Sequence, residues 1–199
     1  MQPQGKGIQG LLPCGWVRPP QILIMGVHLK MKRKYSYPDY SMWEKEAIHT
    51  DSGLIFAPED FYVIDEEGNR RDLFTLDEAM GEDNKIIPPK GWRLPTYDEW
   101  KMIADEFDTP KRIRLGLNMD FNGIVSLYDF DEYKDNLGSF EPIEFGESGY
   151  YWSSTQWRYD SVGVLHFFDK ALLAGNSSEF AVEIGDGCSV RYVLDKKNQ

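Results

Sequence analysis

The apolar positions Trp100, Ile103, Ala104 and Phe107 fall at i, i+3, i+4 and i+7, the spacing of one helix face. Thr96 and Glu99 precede that face as a capping box: the hydroxyl accepts from the Glu99 N–H, and the carboxylate reaches back to the Thr96 N–H. The pattern predicts a helix from Thr96 to Phe107, stopped by Asp108-Thr109-Pro110. Thr75-Leu76-Asp77-Glu78 opens a second, shorter helix through Met80 in the same way. Ser41-Met42-Trp43-Glu44 offers a weaker box for one or two turns reaching about Ile48. Short apolar runs read as strands: Leu54–Ala57 and Phe61–Ile64, split by Pro58-Glu59-Asp60. Trp92 and Leu94 alternate with Arg93 as a short extended piece between Gly91 and Pro95. Thr50–Gly53 and Asp65–Asn69 are turns.

From residue 111 the helical signal ends. Gly116, Asn118, Asn122-Gly123, Asn136, Gly138-Ser139, Gly146 and Ser148-Gly149 punctuate short apolar pieces. The final third then reads as strands at Tyr150–Trp152, Gly163–Phe168, Phe180–Ile184 and Cys188–Leu194. Helices segregated from antiparallel strands predict an α+β fold. There is no internal repeat.

Charge divides the chain. Residues 1–34 hold six basic residues and no acidic one, and are rich in Gln, Gly and Pro. They read as a basic, poorly ordered arm ahead of a single domain at 35–199. Met25 and Met31 are alternative starts within or beside that arm. The domain carries sixteen basic against thirty-three acidic residues. Such an excess repels nucleic acid, which is discounted as the main ligand. Ile22–Met25 is too short for a signal peptide, and His28 and a basic run follow it, whereas a signal peptide carries its positive charge ahead of the apolar segment. No stretch approaches the ~20 apolar residues of a membrane span. Cys14 and Cys188 have no metal-ligand spacing, so no zinc or other cofactor is implied. A Cys14–Cys188 disulfide stays open and requires an oxidising compartment.

Three boxes carry a resemblance. Gly91-Trp92-Arg93-Leu94-Pro95-Thr96 with Glu99-Trp100, then Gly149-Tyr150-Tyr151-Trp152-Ser153-Ser154-Thr155, then Gly187-Cys188-Ser189-Val190-Arg191-Tyr192-Val193 stand in order. Together they resemble C-type-lectin-like bacterial domains, in particular the Fibrobacter succinogenes major paralogous domain. More distantly they resemble the formylglycine-generating (sulfatase-modifying) enzymes. The likeness spans about residues 54–195. It implies two helices flanking a small antiparallel sheet, terminal strands that pair, and a long loop region at 111–148 that presents a surface. It also implies that Trp92, Trp100 and Trp152 are core residues.

The chemistry implied by the enzyme relatives is not carried over. Their reactive cysteine pair is absent, since only Cys188 lies in the domain, and it reads as a small buried hydrophobe. His28, His49 and His166 are scattered, with no Ser-His-Asp order, HExxH or phosphate loop around them. The calcium tripeptide of sugar-binding C-type lectins is replaced by Glu141-Pro142-Ile143, where Ile143 cannot ligate. Asp129-Phe130-Asp131-Glu132 fails the EF-hand pattern because Lys134 stands at its sixth position.

What remains is a binding surface. Gln156, Trp157, Arg158, Tyr159 and Asp160 form a polar-aromatic loop suited to recognition, because aromatic rings give contact area at low entropy cost. His166 alternates with Leu165 and Phe167, which predicts an exposed strand histidine or one facing a ligand. The expected function is non-catalytic recognition of a glycan or protein receptor. The alternatives are a variable receptor-binding protein of a phage or diversity-generating retroelement, a structural surface or virion component, and, less favoured, a formylglycine-type oxidase.

Overall fold

A computed structural model describes residues 35–82, 86–156, 161–168, 171–175 and 182–196. The basic arm and the loop residues Trp157, Arg158, Tyr159 and Asp160 lie outside the described residues. A 3-10 turn at Tyr40–Met42 runs into α1 (Trp43–Glu46), followed by β1 (Ile48–His49), β2 (Ile55–Phe56), β3 (Val63–Ile64) and β4 (Arg70–Arg71). Next come α2 (Leu76–Met80), β5 (Trp92–Arg93), α3 (Tyr97–Phe107), α4 (Pro110–Leu117) and α5 (Phe130–Asp135). The chain then forms β6 (Ser148–Gln156), β7 (Ser161–Phe168), β8 (Ala171–Gly175), β9 (Val182–Glu183) and β10 (Val193–Leu194). The domain is α+β, with three small antiparallel sheets among the described residues. Among the described residues no helix is long and apolar enough to cross a membrane.

The first sheet has the order β1-β2-β10-β5, so the late strand β10 sits between two early ones, with Val193 opposite both Phe56 and Arg93. The second pairs β3 with β4. In the third, β7 lies between β6 and the pair β8 and β9. Both faces of β7 are covered. Val162 and Val164 pack with Trp152, Phe74 and Cys188. Leu165 and Phe167 pack with Trp100, Ile103, Ile113 and Leu117 of the helices. Trp92, Trp100 and Trp152 are all buried. The Trp100 indole N–H donates to Trp152 O at 3.0 Å, and that of Trp152 donates to Phe74 O at 2.6 Å, so each large ring is also fixed by a polar bond.

Both strong capping boxes form at Thr75 and Thr96. Four expectations are corrected. The first turn is capped by Asp39, whose side chain accepts from Ser41 N, and the helix ends at Glu46 because Ile48 joins a sheet. The helical signal does not stop at residue 110: Thr109 caps α4 with Pro110 in its first turn, and Asn118 ends it in the left-handed region at φ 52°. Asp129-Phe130-Asp131-Glu132, expected within the loop region at 111–148, instead opens α5. Cys188–Leu194 is not one strand. Residues 187–189 make single bridges to Val125, Phe74 and Tyr151, and only Val193–Leu194 enters a ladder.

The Thr96 box is tightened by Arg93, which forks onto Glu99 with N–O distances of 2.8 and 2.6 Å. Burial works to raise the Glu99 carboxyl, but the bonds from Arg93 and from the Thr96 N–H outweigh it and hold its pKa below the ordinary value. A depressed carboxylate contributes stability that is full above the unfolded pKa of about 4.3 and fades as pH falls through the lower folded value. Thr96→Ala is expected to cost ~1 kcal/mol in urea unfolding at pH 7. The stability gap between wild type and Glu99→Gln is expected to shrink when the same titration is run in acid. A gap that widens in acid would contradict this assignment.

Candidate functional site

Gln156 is exposed at the end of β6, opposite Val162. His166 pairs with Tyr150, four residues further along β7. At the rise of a strand that separates the two by about 13 Å. They are not brought together on the described backbone. His166 is also not an exposed histidine. It is 4% exposed and stacked on Tyr150 with ring centroids 4.1 Å apart. Alternation misplaces it because both faces of β7 are buried, so period two carries no inside-outside information there. Burial lowers its pKa, with Glu144 opposing. The Tyr150 hydroxyl donates to Glu144 Oε2 at 2.8 Å, and bonds from Ser148 and Tyr150 hold that carboxyl below its usual range. His166 therefore supports a buried ring stack behind the 144–150 segment.

The structure instead assembles a groove of about 340 Å³ between the end of β4 and the 137–145 segment, lined by Arg70, Asp72, Asn122, Phe140, Glu141 and Phe145 among others. It is built from alternation in β4. Arg71 turns inward and is buried, which leaves Arg70 outward, over the Tyr62 ring at 4.0 Å. The Arg70 Nε donates to Asp72 Oδ1 at 2.5 Å. Burial pushes the Asp72 carboxyl up, and Arg70 opposes that push. The floor comes from α5. The buried Tyr133 hydroxyl accepts from the Asp72 and Leu73 N–H groups at 3.3 and 3.2 Å, and burial pushes its pKa up to about 12. Phe140 packs edge-on against that ring at 5.7 Å.

The far wall depends on one glycine. Ile124 and Ile143 form an antiparallel bridge, and Gly123 beside it has φ +68°. A Cβ at Gly123 would lie 2.2 Å from Ile143 O, so a side chain would force this wall open. The bridge leaves the Phe145 side chain 55% exposed at the rim.

An exposed ring beside a guanidinium, carboxylates and an amide suits hydrogen bonding to hydroxyls and amides with stacking on an apolar face. Among the described residues no group of three or more His, Cys, Asp and Glu is placed to hold a metal ion. Sequence reasoning missed this groove. The legible signal was the apolar set Phe140, Ile143 and Phe145 inside an otherwise polar stretch. Comparison with protein-family models, with curated proteins and with solved structures finds no match for this chain.

Proposed function

We propose that the chain is a non-catalytic recognition module of the C-type-lectin-like kind, holding a glycan or a protein surface in the groove beside β4. The observation that carries this reading is that the exposed Phe145 ring and the Arg70–Asp72 pair line one cavity, whose floor and far wall are fixed from behind. Two capping-box helices and an early strand paired with the last one agree with the fold that the three boxes imply, whereas the expected loop region at 111–148 holds α4 and α5. Cys188 is fully buried and its thiol is pushed well above the ordinary range, which favours recognition over oxidase chemistry at this residue.

Glycan arrays and receptor pull-downs with Phe145→Ala and Glu141→Ala test the reading. Truncating the exposed Phe145 ring, the aromatic a ligand would cover, is expected to weaken binding on the order of tenfold. Full binding by both variants would remove the groove from the site. A Trp157→Ala, Tyr159→Ala double variant run alongside reports whether the polar-aromatic loop belongs to the same surface.

A further inference from the structure

Another open cleft lies where α4 meets the turn that follows it. Its volume is about 540 Å³, and its lining includes Lys111, Arg114, Leu115, Asn118, Asp120 and Phe121. The first three stand at i, i+3 and i+4, so α4 presents them on one face, and its cap residue Asn118 follows. The opposite face, with Ile113 and Leu117, is buried in the core. The outward face therefore combines two cations with a leucine that is 74% exposed. In a domain with about twice as many acidic as basic residues, this is a local concentration of positive charge.

Among the described residues Lys111 and Arg114 form no salt bridge, whereas Arg112 between them pairs with Asp108 at 3.2 Å. The Arg114 guanidinium lies over the Phe121 ring at 4.5 Å, which restrains it without satisfying its donors. The turn that follows α4 and completes the cleft is pinned to the buried interior. Asn118 O accepts from Arg191 Nη2 at 2.5 Å, and Asn118 Nδ2 donates to Pro58 O at 3.2 Å. Asp120 N donates to the Tyr151 hydroxyl at 2.9 Å and to Asp60 Oδ2 at 3.3 Å. The cleft is thus set before any ligand arrives, which lowers the ordering cost of binding.

We propose that this cleft binds a carboxylated sugar. Its carboxylate lies on Arg114 and Lys111, because the planar guanidinium fork matches that group. Its hydroxyls face the Asp120 carboxylate, an acceptor that would repel a second anion but suits a hydroxyl. Its apolar ring face rests on Leu115. The surrounding acidic surface does not prevent this, since charges more than about 8 Å away are screened at physiological salt. The inference is independent of the Arg70 groove.

Glucuronic acid and N-acetylneuraminic acid, with glucose and a sulfated glucose as controls, are titrated into the 15N-labelled full chain. Saturable shifts of amides 111–121 with an acidic sugar and not with glucose are expected. Arg114→Gln and Lys111→Gln, both at the surface, are each expected to weaken binding by about tenfold, as for loss of a charge-assisted bond. Phe145→Ala is expected to leave it unchanged. Four outcomes would overturn the proposal: no saturable shift, equal response to glucose, binding of the sulfated sugar alone, or acidic-sugar binding insensitive to both α4 variants.

Discussion

Arg191→Met is expected to destabilise the domain by about 3–5 kcal/mol, a large share of the 5–15 kcal/mol typical of a folded domain. Arg191 is fully buried, and each of its three nitrogens has a partner. Nε donates to Asp60 Oδ1 at 2.8 Å, Nη1 to Ala57 O at 2.9 Å, and Nη2 to Asn118 O. Methionine fills the space but leaves Asp60 as a buried carboxylate with only the Tyr151 hydroxyl, at 2.7 Å, and the Asp120 N–H. Burial already pushes the Asp60 carboxyl up, and Arg191 is the main opposing influence. Without it the folded pKa rises further above the unfolded one. A raised carboxyl binds its proton in the folded state, so the stability deficit grows as pH rises and narrows as pH falls toward the ordinary carboxylate range. Urea unfolding followed by tryptophan fluorescence at several pH values measures both effects. The Asp60→Leu, Arg191→Met pair should recover part of the loss, because the cost lies in the orphaned charge. A single variant within 1 kcal/mol of wild type would show that the interior tolerates the lone carboxylate.

Glu78→Ala is expected to cost about 3–5 kcal/mol, and Glu99→Ala about 1 kcal/mol, although both glutamates close the same type of box. The difference lies in the arginine each one meets. Glu78 Oε2 accepts from the Thr75 N–H at 3.1 Å and from Arg71 Nη2. The Arg71 side chain is 1% exposed, held between the Phe74 and Phe130 rings at 4.8 and 5.2 Å. Its other bonds go to Leu73 O and the Tyr35 hydroxyl. Removing Glu78 strands that cation. Arg93, by contrast, is 39% exposed, and water can replace its partner. Chemical unfolding of the two variants side by side reads the contrast directly. Equal costs would mean that Arg71 finds compensation inside the core.

These two boxes also show what the sequence made legible. The pairings Thr75 with Glu78 and Thr96 with Glu99 span three residues, and both form as read. The partners Arg71 and Arg93 are set by tertiary placement, so identical motifs concealed different energetics. Gly116 and Asn118 read as turn punctuation, but Gly116 lies inside α4 and Asn118 caps it. A Cβ at Gly116 would come within 2.2 Å of the Phe107 ring, so this glycine serves the close approach of α3 and α4. Asn118 is the left-handed residue that ends the helix. β4 was missed because two arginines carry no strand signal, and β8 because Ala171–Gly175 lacks alternation and β-branched residues. The groove beside β4 eluded the sequence for a related reason. Glu141-Pro142-Ile143 was weighed as a calcium tripeptide, whereas its place in the site comes from the Ile124–Ile143 bridge and a floor contributed by Tyr133.

The position of β10 between β2 and β5 governs when the domain can fold. Residues 187–189 also supply single bridges to three separate regions, at Val125, Phe74 and Tyr151. A nascent chain that has reached residue 186 therefore has two early strands lacking the one that joins them, and Asp60 lacking the arginine that compensates it. Local helices can form as they emerge, but the cores cannot close until the stretch 187–194 has left the ribosome. Folding then waits for that stretch and is dominated by contacts far apart in sequence, which places the domain among the slower folders of its size.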